Sequence, residues 1–172
     1  LLTAQSITGT PVLDAAIPGY KLEVVGNQLQ LNQDNATDPY TAWSGGADFD
    51  ADANVDGVDN GMAWLLGAAD KDASAHGKLP AATRTGGGLT LTFRCLNAGS
   101  RGAAALLLEH SGNLGQTGPW ASVAVPETSG PVGGVNFTIT PDGDFNNVTA
   151  TIPIGEALSG KLFARLRAVS AP

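Results

Sequence analysis

Cysteine occurs once, at Cys95. No disulfide can close within the chain, so a cross-linked small scaffold is excluded. A lone thiol in a strand-like run reads as a small apolar filler, with an intermolecular disulfide as the alternative. Histidine occurs twice, at His76 and His110, and neither belongs to a zinc-binding or Cys–His nucleophile pattern. Charged residues make up only 15% of the chain, against about 25% in an ordinary soluble domain. The 9 basic residues are scattered among 16 acidic ones, for a net charge of −7. Nucleic acid and anionic membrane are poor partners for such a chain, because both are bound by clustered Lys and Arg; the one loose basic group is Lys161, Arg165 and Arg167. No run approaches the ~20 apolar residues of a membrane span. Gly86-Gly87-Gly88 precedes no helix and reads as a hinge or strand entry rather than a phosphate cradle. Glu109 and His110 are neighbours on a strand and point to opposite faces, so they form no dyad. No residue is assigned a catalytic role. No leader peptide is visible at Leu1, and the chain is expected to be a processed or excised piece.

What is abundant is small, turn-forming and β-forming. With 23 Gly, 10 Pro and 42% hydrophobic residues, the chain suits short strands joined by many turns around a packed core. Residues 2–7 read as a short strand. Tyr20 to Val25 alternates, Gly26-Asn27 supplies a turn, and Gln28 to Leu31 alternates again, which predicts a β-hairpin. So small a sheet must lean on the rest of the chain or on a partner. Asp38-Pro39 predicts a helix start, with Asp as N-cap and Pro at the first helical position. Tyr40 and Trp43 then share a face, and Gly45-Gly46 ends the helix. A second short helix is expected over 61–67, stopped at Gly67. Residues 70–85 read as a loop or linker. Strands are predicted at 89–93, 104–109, 120–125, 135–139, 148–152 and 162–169, with turns at Ser111-Gly112-Asn113, 116–119, Ser129-Gly130-Pro131 and 141–144. The last strand has one apolar face and another that carries Arg165 and Arg167. No internal repeat is found.

The expected fold is all-β: an antiparallel β-sandwich over 86–172, preceded by a small β-element over 1–36 and by two short helices flanking an acidic loop over 37–80. That loop is the strongest local signal. Counting from Asp52, alternate positions one, three and five are Asp52, Asn54 and Asp56. Gly57 falls at position six, where a calcium loop turns sharply; Val58 offers a carbonyl at seven, and Asn60 stands at nine. Position twelve is Ala63, where such loops carry a bidentate Glu. Asp48, Asp50 and Asp59 lie close, with Asp70 and Asp72 beyond the helix, and one of them or water could complete the oxygen shell. The alternative is a solvated Asn/Asp-rich turn without metal.

The string from Tyr40-Thr41-Ala42-Trp43, through Asp52 to Asn60, to Trp64-Leu65-Leu66-Gly67 resembles a recurrent C-terminal module of large bacterial surface proteins. In that family a Y-x-x-W precedes an Asp-rich calcium-type loop ending D-G-x-x-N-x-x-E-Y-A-L-G, and a β-sandwich follows whose last strand reads like Phe163-Ala164-Arg165-Leu166-Arg167. Asp52, Asn54, Asp56 and Asn60 match its ligand positions, and Ala63 replaces its Glu. Ser6 to Pro11 and Gly19 to Leu29 are similar to the last rung of autotransporter-type β-strand repeats, which stack into parallel β-helices. The resemblance implies an extracellular, calcium-stabilised, non-enzymatic part of a larger or polymeric bacterial surface assembly; the open hairpin edge could dock on an upstream β-helical region or pair with another copy. Two alternatives stand beside it. The first is a filament subunit that pairs its open hairpin edge with another copy of itself. The second is a carbohydrate-binding module that presents Trp120 to a polysaccharide. Asn35-Ala36-Thr37, Asn136-Phe137-Thr138 and Asn147-Val148-Thr149 are glycosylation sequons.

Overall fold

The computed structural model describes residues 2–3, 20–33 and 38–170. The chain divides into two compact units, 1–37 and 38–172. In the first, β2 (Tyr20–Val25) and β3 (Gln28–Gln33) form the expected hairpin, and β1 (Leu2–Thr3) pairs with β3 on its other side. Gly26 opens the turn at φ 62°, a conformation that costs glycine nothing. The remainder of the strand predicted over 2–7 lies outside the described residues.

In the second unit, α1 (Pro39–Ser44) begins as expected: the Asp38 carboxylate accepts the Thr41 N–H, and Gly45 closes the helix in the left-handed region. Helix α2 (Asn60–Leu65) ends on a Schellman motif. Gly67, at φ 82°, donates to the Trp64 carbonyl, and Ala68 donates to the Ala63 carbonyl.

The rest is mainly β, an antiparallel sandwich, which gives the chain the expected all-β class. One sheet has five strands in the order β4–β5–β10–β9–β8: β4 (Ala81–Thr85), β5 (Gly88–Leu96), β8 (Gly130–Val132), β9 (Val135–Asp142) and β10 (Phe145–Pro153). The other has three, β11–β6–β7: β6 (Ala105–Ser111), β7 (Ala121–Ala124) and β11 (Phe163–Val169). Period-two alternation turns Leu91, Phe93 and Cys95 inward from β5, Val135, Phe137 and Ile139 from β9, and Val148, Ala150 and Ile152 from β10. They meet Leu106, Leu108, Val123 and Val125 of the facing sheet, and Trp64, Leu65 and Leu66 of α2 join the same core. Cys95 is a buried filler in this core, and burial raises its thiol pKa to about 11.

Three features depart from the sequence reading. Residues 70–85 are not a linker: they hold a 3₁₀ turn at His76–Lys78 and the edge strand β4. Ser129-Gly130-Pro131 is not only a turn, since Gly130 and Pro131 begin strand β8; Pro131 is tolerated because β8 lies at a sheet edge. A third short helix, α3 (Ala98–Arg101), crosses from the five-stranded sheet to the other. Its Arg101 binds the Leu96 carbonyl and Glu127, and Glu127 in turn accepts from Asn146. One polar cluster thus ties two of the three sheet-to-sheet crossings, β5 to β6 and β7 to β8, to strand β10.

Candidate functional site

The acidic loop runs from α1 to α2 and is folded onto itself by its own side chains. The Asp56 N–H donates to Asp52 Oδ1 at 3.2 Å and to Asn54 Oδ1 at 3.1 Å. Asp52 Oδ2 accepts the Gly57 N–H at 2.7 Å. Oxygens from positions one and three are therefore gathered on one side of a turn, and Gly57, at φ 83°, supplies the sharp bend at position six. Val55 also has positive φ, at 56°, a strained state for a β-branched residue.

Asp56 faces the other way. Its carboxylate accepts the Val58 N–H at 3.0 Å and the Ala75 N–H at 2.8 Å. The bond from Ala75 leads in holding this carboxyl below its ordinary pKa, with help from Ser74, Val58 and His76 against desolvation. Asn54 donates to the Ala73 carbonyl, and His76 Nε2 donates to the Asp56 carbonyl. Residues 73–76 are thus laced to the loop, a partnership that local spacing does not reveal. The signal was small: a short alanine, Ala75, is fully buried with Val58, Ala63 and Ala68 in a minor core.

The remaining predicted ligands are placed as follows. Asn60 is buried at the first position of α2, where its amide oxygen accepts from Ala53 and its amide nitrogen donates to the Asp48 carbonyl. The Val58 side chain is buried in the minor core. Asp50 and Asp59 are exposed, and Asp59 makes no side-chain cap on α2. Ala63, at position twelve, is 4% exposed and packs in the minor core. Aromatic rings wall the loop. Tyr40 stacks edge-on against Phe49 and Trp64 and donates its hydroxyl to the Ala47 and Asp48 carbonyls, and Trp43 donates to the Ala68 carbonyl.

The donor set gathered on the turn is all oxygen, from Asp52 and Asn54, with further carboxylates beside it. That chemistry suits a hard cation of the calcium type. Among the described residues no three His, Cys, Asp or Glu side chains converge as a metal-holding group. The loop draws part of its oxygen from asparagine, and a shell there would need water or a shift of Asp50 or Asp59.

The other groups singled out in the sequence are placed as follows. Glu109 points out of β6 and takes Arg165 Nε at 2.7 Å and Arg167 Nε at 2.8 Å. Burial opposes its ionisation, but the two arginines outweigh that and hold its pKa below the ordinary value. Its neighbour His110 points into the sandwich and is buried, with Nε2 unpartnered. Trp120 is half-buried beneath the Arg165 guanidinium, 4.4 Å from its ring centre.

Fold and loop together define an antiparallel β-sandwich carrying a helix–acidic loop–helix at its head. Comparison with protein-family models, curated proteins and solved structures finds no match to this chain.

Proposed function

We propose that this chain is a structural module of an extracellular bacterial surface protein, in which calcium clamps the acidic loop between α1 and α2. The observation that carries the reading is the gathering of Asp52 and Asn54 oxygens on a turn bent at Gly57. Asp56 and Asn54 anchor that same turn to residues 73–76. Like charges held this close repel, and a divalent cation would convert that repulsion into attraction between elements that also pack on the sandwich core. The role is scaffolding rather than catalysis. Titrating the chelator-treated protein with calcium while recording tryptophan fluorescence tests the reading, because Trp43 and Trp64 flank the loop. Saturable change that is lost in Asp52→Ala supports it, and a flat titration opposes it.

Assembly is favoured by a separate observation. The small sheet of the first unit leaves Val24, Val25 and Leu31 exposed, at 37%, 50% and 48%, and among the described residues β2 is one of its two edge strands. Apolar side chains beside an open edge suit strand pairing with an upstream β-helical region or with another copy. Trp120 lends less to a polysaccharide platform, since Arg165 covers one face of its ring. Concentration-dependent scattering that disappears with Val25→Lys is the expected signature of pairing between copies.

A further inference from the structure

Among the described residues, few cations lack an ion pair. Lys71, Arg94, Arg101, Arg165 and Arg167 each reach a carboxylate. Lys78, Arg84 and Lys161 form no ion pair among the described residues. Arg84 and Lys161 line the same pocket, about 210 Å³ in volume, whose other walls are Leu89, Ile154, Leu162 and Phe163. The pocket lies where the edge strand β4 and the start of β5 approach the residues leading into β11.

Its frame is rigid. Leu158 and Lys161 exchange two backbone hydrogen bonds at 3.0 Å across Ser159 and Gly160, both at positive φ (52° and 73°). That is a tight primed turn, and it fixes the base from which the Lys161 side chain rises. Elsewhere in the lining, a Cβ on Gly88 would come within 2.0 Å of the Ile152 carbonyl oxygen, so backbone meets backbone there. Ile154 stays 44% exposed at the rim.

We propose that this pocket binds a small carboxylic acid with an apolar body. The carboxylate sits between Arg84 and Lys161, and the hydrocarbon lies against Leu89, Ile154, Leu162 and Phe163. Charge complementarity selects the anion: among the described residues, the carboxylates that neutralise cations elsewhere are missing at these two exposed side chains. Size selects the body. An apolar cavity of about 150 Å³ accepts benzene, so this one holds a single ring or a six-carbon chain together with its carboxylate. The site is separate from the acidic loop and does not depend on calcium.

The test is methyl NMR on the intact chain, following Leu89, Ile154 and Leu162 during titration with hexanoate, benzoate, hexanol and acetate. Hexanoate and benzoate should shift all three residues saturably and bind about tenfold more tightly than hexanol or acetate. The double variant R84Q/K161Q should bring hexanoate down to the level of hexanol, while R94Q leaves it unchanged. Hexanol binding as well as hexanoate, or hexanoate binding indifferent to R84Q/K161Q, overturns the proposal. So does the absence of any shift at millimolar hexanoate in a chain whose amide spectrum remains that of the folded protein.

Discussion

At the scale of single residues, charge is spent on holding loops and strands in place. Glu109 is the clearest case, with two arginines of β11 converging on one buried carboxylate. Its folded pKa lies below the ordinary value, so its stabilising effect is complete above that value, about 4.3, and is lost as pH falls through the folded one. Glu109→Gln should cost about 1 kcal/mol near neutral pH, because both arginines are half exposed and screened. The gap in melting temperature between variant and parent should narrow as pH falls below the ordinary value and close once it has fallen through the lowered folded one; a gap constant across the whole acid range would contradict the assignment. Cys95, buried and with its pKa raised to about 11, should resist iodoacetamide until the chain unfolds, since the thiolate is the nucleophile. Ala63 is a sharper probe of the loop. Ala63→Glu places a carboxylate at position twelve inside a small apolar core, so it should lower the melting temperature in chelator and regain the loss in calcium. Asp52, Asn54, Asp56 and Gly57 were readable from sequence because their geometry is local, set by spacing within six residues. The bond from Ala75 to Asp56 spans 19 residues, and no spacing rule reaches that far.

At the scale of elements, glycine decides where rings can lie. Gly61 in α2 sits under Phe49, whose nearest ring carbon would be 2.2 Å from an added Cβ. Gly61→Ala should therefore destabilise by about 1–3 kcal/mol through overpacking, although alanine is the better helix former. Urea unfolding measures this, and a stabilised variant would show that the ring moves freely aside. The hairpin over 20–33, the cap at Asp38 and the stop at Gly67 were legible because cap and turn chemistry is carried by the residues themselves. Strand β4 was not: Ala81 to Thr85 has no large apolar side chain and all five residues are exposed, so it carries no inward–outward signal. It forms because β5 offers it an edge. Strand β8 hid behind Gly130 and Pro131, and α3 is a single turn whose Asn97 cap accepts the Ser100 N–H.

At the scale of the whole molecule, the sandwich follows from alternation in β5, β6, β9 and β10, whose inward residues make one core with Trp64, Leu65 and Leu66. Leu108 is fully buried there, and Leu108→Ala should cost about 2–5 kcal/mol. The head of the molecule is less secure, because its minor core is mostly alanine and valine and its loop concentrates carboxylates. A clamp there is what the proposed calcium supplies. Thermal unfolding of the parent, Asp52→Ala and Asp56→Ala, each in calcium and in chelator, is the most direct test. The account predicts that calcium a hundredfold above its Kd stabilises the parent by about 2.7 kcal/mol, roughly 5–10 °C for a domain of this size, and that neither variant responds. Equal melting temperatures for the parent in calcium and in chelator would contradict it, leaving the loop a turn held by its own hydrogen bonds.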